Sequence, residues 1–157
     1  MANHWEYIKF RGRTTDAADP KWVYGDYVYE CSSKHHYIVT TFSPYTGDFV
    51  YVLVDGETVG QYIKHKDDNG SEIYEGDVVE GFIADSDEGE YVQGEIIWNY
   101  KGAFVLDRRV EPLRGDIREL RELDSVRIKG NVHDRPENVK EAVKTCFRNK
   151  GLATDDR

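Results

Sequence analysis

From Trp22 to Leu106 the chain repeats one pattern: a short run of β-branched and aromatic residues, then a polar stretch carrying Gly, Pro, Asn or Asp. Strand-length runs at regular spacing with turn signals between them suit a small antiparallel barrel or sandwich. The side-chain balance agrees. Val and Ile together number 25 against 6 Leu, and aromatics make up 13% of the chain. Such stiff side chains suit a pleated, half-buried surface. Val, Ile, Leu and Phe total 37 of 157 residues, above the roughly 20% below which charged chains stay unfolded, so one domain with a real core is expected.

Individual runs read as follows. Trp5–Phe10 is expected to form a first strand, with Thr14–Pro20 a loop. Trp22–Tyr29 is a second strand with apolar residues on both parities, either buried on two faces or re-phased by a bulge at Gly25. Tyr37–Phe42 and Phe49–Val54 form a hairpin around Ser43–Asp48. Asp55-Gly56 supplies a turn into Thr58–Ile63. Asn69-Gly70 is the preferred pair for a type I′ turn, whose two central residues take positive φ. Glu75-Gly76-Asp77 reads as a tight entry into the next strand, with Tyr74 and Val78 or Val79 in the core. Tyr91–Trp98 and Ala103–Leu106 make another hairpin. Asp116 with Glu119 matches a capping box for a short helix carrying Ile117, Leu120 and Leu123 on one face. Val126–Ile128 closes the sheet. Asp134-Arg135-Pro136-Glu137 opens a C-terminal helix with Val139, Ala142, Val143, Cys146 and Phe147 at helical spacing.

Chemistry-bearing motifs are sparse. Asp67-Asp68-Asn69-Gly70 does not fit a calcium loop, because His65 and Gly76 fall where carboxylates belong. Cys31, His35 and His36 have one spacing compatible with zinc but lack a second pair of ligands. There is no nucleophile elbow and no phosphate-binding glycine loop. No catalytic, metal or cofactor residue is assigned, and the chain is expected not to be an enzyme. The two cysteines, Cys31 and Cys146, are too few for a disulfide scaffold. No apolar run reaches the roughly 18 residues of a membrane span, and Met1–Phe10 holds no apolar leader, so a cytoplasmic protein is expected.

Charge bears on partners. The net charge is -9. Cations gather as Lys9, Arg11 and Arg13, and again as Arg108, Arg109, Arg114, Arg118, Arg121, Arg127 and Lys129, the second group interleaved with acids. One basic face built from Lys9, Arg11, Arg13, Arg108 and Arg109 would make a nucleic-acid-binding small barrel, the alternative reading. The overall acidity works against it.

Three separated segments resemble the YopX family, small proteins encoded mainly by phages and prophages. They are Ile8–Gly12 with Trp22–Asp26; Gln61-Tyr62, Asp67, Asn69-Gly70 and Ile73–Val79; and Gly130–Asp134 with Pro136-Glu137. The chain departs from the family pattern at Ile63-Lys64-His65 and at Val132–Arg135, and residues 31–57 look like a variable hairpin insert. The resemblance implies a phage or prophage accessory protein in the bacterial host cell, with a homo-oligomer expected, and carries no catalytic residues. The residues quoted from its central motif, Asn69, Gly70, Tyr74, Glu75, Gly76 and Asp77, read physically as architecture.

The combined expectation is a mainly β protein: a small SH3-like barrel or strongly bent antiparallel sheet with a C-terminal α-helix. Residues 1–150 form a single domain and 151–157 a frayed tail. It is expected to act through protein contacts, with itself or with a host or phage protein, and without a cofactor or membrane. Self-association follows from 20 aromatics in one small domain and from strands apolar on both faces, which need a covering layer.

Overall fold

The computed structural model describes residues 8–84, 89–99, 102–107 and 116–134. Among these residues ten strands follow in order: β1 (Phe10–Thr14), β2 (Trp22–Glu30), β3 (His35–Ser43), β4 (Asp48–Lys66), β5 (Glu72–Tyr74), β6 (Asp77–Ile83), β7 (Glu90–Asn99), β8 (Gly102–Asp107), β9 (Asp116–Glu119) and β10 (Ser125–Asn131). They make two antiparallel five-stranded sheets, ordered β1-β2-β3-β4-β5 and β10-β6-β7-β8-β9. Mainly β is therefore the architecture, and the pairing does not by itself establish an SH3-like barrel. In the first sheet β1 also pairs with β4, so the sheet bends round and closes a ring of four strands. The expected helix after Pro136, the tail 151–157, and Arg108 and Arg109 lie outside the described residues.

The bend is achieved by strands that change partners. β2 pairs with β1 as far as Phe10↔Gly25, then with β3 from Asp26↔Val39 onward. A Cβ on Gly25 would lie 1.9 Å from the Val39 carbonyl oxygen, so the crossing point admits no side chain. β4 is long for the same reason. It pairs with β3 over Asp48–Val54, with β1 over Val54–Gln61 and with β5 at Tyr62 and Lys66.

Four expectations are corrected. Trp5–Tyr7 of the expected first strand lie outside the described residues; Ile8 and Lys9 are not strand, and β1 runs on from Phe10 to Thr14, because its partners are Trp22–Gly25 and the middle of β4. Asp55-Gly56 does not end a strand. It opens a wide bulge within β4, where Arg11↔Gly60 is followed by Arg13↔Asp55. The Asp55 carboxylate accepts from Glu57 N–H, and the Thr58 hydroxyl donates to the Asp55 carbonyl. At Asn69-Gly70 only Gly70 has positive φ, 82°. The hydrogen bond closing the turn runs from Gly70 N–H to the Asp67 carbonyl, so the turn is not type I′. Lastly, Asp116–Glu119 is a strand on β8. The Glu119 side chain caps nothing, and only Leu120–Glu122 turns as a short 3-10 segment. Ladder pairing outweighs a local capping pattern.

The main core is built from Ile63, Ile73, Val79, Val92, Ile96, Val105, Leu120 and Val126. It draws on the end of β4, on β5 and on the second sheet, so the two sheets share an interior. Their junction is also closed by main-chain bonds from Glu75 N–H to the Gln61 carbonyl and from Gly76 N–H to the Ile96 carbonyl.

The turn geometry separates two neighbours that look equivalent in sequence. Gly70→Val forces a β-branched residue into left-handed backbone and is expected to cost about 1–3 kcal/mol. Asn69→Val strains no backbone and loses only the Asn69 side-chain hydrogen bond to Asp67, so it is expected to cost less, about 1 kcal/mol. Urea melts of the two variants check this; equal losses would mean the turn is wrongly described.

Candidate functional site

The family-like segments meet in one buried cluster. β1 carries Arg11 inward, and its guanidinium Nη2 donates to Asp77 Oδ1 at 2.6 Å. Asp77 opens β6, where Gly76 at φ 82° turns the chain. The other carboxylate oxygen of Asp77 accepts from Tyr74 N–H at 2.8 Å, and Asn131 Nδ2 reaches Oδ1 at 3.4 Å. Both charged side chains are buried, 8% and 2% exposed. A buried ion pair requires such satisfaction, since an unpaired charge in a dry interior is costly. Two rings flank the guanidinium, Trp22 at 4.5 Å and Tyr74 at 4.9 Å from ring centroid.

The third segment is pinned beside this pair. Val132 N–H donates to the Gly76 carbonyl. The Asn131 amide oxygen accepts from His133 N–H. Arg13 Nη1 donates to the His133 carbonyl at 2.5 Å, and Trp22 Nε1 to Asp134 at 3.4 Å. Glu75 Oε2 accepts from Gln61 N–H. Thus Tyr74, Glu75, Gly76 and Asp77 sit in the cluster, while Asn69 and Gly70 sit in the exposed turn between β4 and β5.

That turn has its own polar centre. Asp67 is buried; its carboxylate accepts from Asn69 and Ser71 N–H through one oxygen and from Ile128 N–H through the other. Burial pushes its pKa up, but these N–H donors, Ser71 first, more than compensate and hold it below the ordinary value. Glu72 is also held low, chiefly by a hydrogen bond from Lys9, which stacks its ammonium on Tyr62. Tyr74 is pushed well above its ordinary 10.0 by burial and then by the adjacent Glu72 carboxylate.

Among the described residues, the expected cations are each engaged within the fold, and Arg108 and Arg109 lie outside the described residues. Lys9 is on Glu72, Arg11 on Asp77 and Arg13 on His133. Farther along, Arg127 lies 3.8 Å from Asp68 and Lys129 3.1 Å from Glu80. Cys31 is exposed, His35 faces Tyr37 and His36 lies 2.7 Å from the Tyr27 hydroxyl. Among the described residues no three His, Cys, Asp or Glu side chains gather as a metal site.

The exposed chemistry is elsewhere, on β2–β4. Residues directly opposite one another across strands share a face. One set of rows, Tyr27–Ile38–Val52 and His36–Val54, points inward, with Ile38 and Val54 buried, while Tyr29, paired with His36, is 44% exposed. The alternate rows, Val28–Tyr37–Leu53 and Asp26–Val39–Tyr51, point out. Between Val39 and Phe42, β3 advances three residues while β4 moves two, which brings Phe42 opposite Phe49 on the outer side. Phe42, Phe49 and Tyr51 are each more than half exposed. The outer face is thus apolar where a solvated sheet is normally polar. Beside it, Val28, Tyr29, Glu30, Tyr37 and Tyr51 line an open groove of about 560 Å³.

Residues 9–140 match the model of the family described as YopX protein. The chain belongs to the YopX family. The match begins at Lys9 and spans every segment that converges on Arg11 and Asp77. No curated protein matches the chain, and no solved structure does. Among the described residues no helix is long and apolar enough to cross a membrane.

Arg11 and Asp77 are assigned different roles from sequence, one to a basic face and one to a structural motif, and Trp22 and Asn131 stand in the family-like segments with no role of their own. The available signal was the pairing of a cation in one family-like segment with an acid in another. Asp77→Leu removes the acceptor for Arg11 and Tyr74 N–H together and is expected to cost about 3–5 kcal/mol, more than Arg11→Met, which leaves Asp77 two partners; equal losses would contradict the network.

The pKa directions add a pH dependence. Asp67 and Glu72 titrate below their unfolded values, so their stabilisation is complete above about pH 4 and disappears as pH falls through the folded-state values. Tyr74 acts at the other end: its contribution is complete below pH 10.0 and declines as pH rises beyond it. Urea midpoints from pH 2 to 7 should fall less steeply in Asp67→Asn than in the parent; parallel curves would dismiss the Asp67 assignment.

Proposed function

We propose that this YopX-family chain is a non-enzymatic accessory protein of phage or prophage origin, at work in the host cytoplasm through protein–protein contact. Its contact surface is the outer face of β2–β4. One observation carries the reading: the register places Val28, Tyr37, Val39, Phe42, Phe49, Tyr51 and Leu53 on that one outward side. Several of these stay exposed, while the titratable groups described above are bound into the fold.

A second copy is one partner that suits this surface. Thr40–Ser43 lies beyond the last β2 pairing, and Asp48–Leu53 beyond the last β1 pairing. Among the described residues this end of the hairpin is a two-stranded ribbon. Two strands alone are marginal in water, and their open edges invite pairing. Placing the ribbon tips of two copies against each other covers Phe42 and Phe49 in both.

Light scattering coupled to size exclusion at tens of micromolar tests this. A mass above the 18.2 kDa of one chain is expected, returning toward one chain in Phe42→Ser/Phe49→Ser. One-chain mass at every concentration would overturn self-association.

A further inference from the structure

The two ends of the outer face differ. The ribbon end is phenylalanine. The other end is the tyrosine-lined groove, and its surroundings are acidic. β2 carries two acids, Asp26 and Glu30, and no Lys or Arg. Glu30 itself lines the groove, and Asp26 stands in the row beside Val39 and Tyr51.

This combination selects among ligands. An open groove does not enclose a small apolar molecule. Carboxylates repel a phosphate backbone. A second copy would set the same acids against these. The Tyr37 and Tyr51 rings meet edge to face, 85° apart with centroids at 6.3 Å, so they form ridges rather than a flat plate. Val28, on β2, stands directly opposite Tyr37 and also lines the groove.

Ridged aromatic surfaces hold polyproline II segments, whose rings fit between aromatic side chains and whose carbonyls have no partner within their own helix. Tyrosine hydroxyls at the ring tips can donate to such carbonyls. The Glu30 carboxylate, which already accepts from the Ser33 hydroxyl, retains further lone pairs for a cation.

We infer that the Val28–Tyr29–Glu30–Tyr37–Tyr51 groove binds an extended, proline-rich peptide segment carrying Arg or Lys. This rests on reading β2–β4 as a protein-contact face and names the partner chemistry of one end of it. The rings hold the proline faces, and Glu30 with Asp26 sets the preference for a basic segment.

The test is fluorescence anisotropy with a labelled peptide, Ac-APPRPPRPPA, and two controls: the same peptide with Glu in place of Arg, and one of equal charge with Gly and Ser in place of Pro. The whole chain and Phe42→Ser/Phe49→Ser are both titrated, so that a second copy at the ribbon cannot mask the groove. Saturable binding of the basic proline peptide to either protein, weakened about tenfold or more by Tyr51→Ala and by Glu30→Lys, supports the inference, provided both variants melt like the parent. Absence of binding to both proteins, equal binding of either control, or binding indifferent to Tyr51→Ala overturns it. Preferential binding of a labelled oligo-dT probe at the same residues overturns it too. Mass measurements on the same samples keep the two readings apart. Self-association without peptide binding removes only this inference, and loss of both removes the contact face.

Discussion

The Arg11–Asp77 pair is the constraint around which the molecule is arranged. It joins β1 of the first sheet to β6 of the second across 66 residues of sequence. Two buried charges contribute little net stability on their own, because desolvation offsets their attraction. Their effect is on arrangement. Asp77 accepts along both oxygens, so Tyr74 N–H, Arg11 and Asn131 must all stand where they do. That condition fixes the β5–β6 turn, the depth of β1 and the position of the segment after β10 together. The Trp22 and Tyr74 rings on the guanidinium bring β2 into the same arrangement.

Much of this fold was legible because strand periodicity and turn residues are local signals. The β3–β4 and β7–β8 hairpins, the strand after Gly76 and the closing strand at Val126 all lie where the pattern puts them. What failed was whatever depends on a partner. Asp116–Glu119 carries a helix-start pattern, yet β8 supplies a ladder that a three-residue 3-10 turn cannot match. Asp55-Gly56 looks like a strand end, yet β1 needs an unbroken β4 with a bulge to wrap around. Asn69-Gly70 looks like two positive-φ residues, yet Asp67 accepts from Asn69 N–H and stabilises a turn in which Gly70 alone is left-handed. The candidate contact face was half legible. Two-sided apolarity in β2–β4 is visible in sequence, but the bulge that puts Phe42 beside Phe49 is not.

Acidity also divides into two roles that composition cannot separate. Asp67 and Asp68 are structural. Their carboxylates accept from Ile128 and Val126 N–H, and Asp68 N–H donates to the Val126 carbonyl. The side of β10 facing away from β6 is thereby occupied by a turn instead of standing open as a sheet edge. Asp26 and Glu30 have no such assignment in the core; they stand at the outer surface of β2.

These two treatments of sheet termini show where the fold tolerates a partner. On the second sheet, β10 is capped by the Asp67 and Asp68 carboxylates, which occupy the edge where another strand would add. On the first sheet, the β3–β4 ribbon runs past its neighbours with apolar side chains outward and no comparable cap among the described residues. Were the ribbon mere connection, a short polar turn after Val39 would close β3 onto β4 at less cost in exposed apolar area. The chain instead extends both strands and shifts β3 by one residue, so that another aromatic faces outward. The extension adds nothing to the Arg11–Asp77 cluster or to the buried core, and its physical consequence is a larger apolar surface. Exposed apolar surface of that extent is the kind that marks interaction sites, and here it lies on the ribbon and the tyrosines behind it rather than at the buried Arg11–Asp77 cluster.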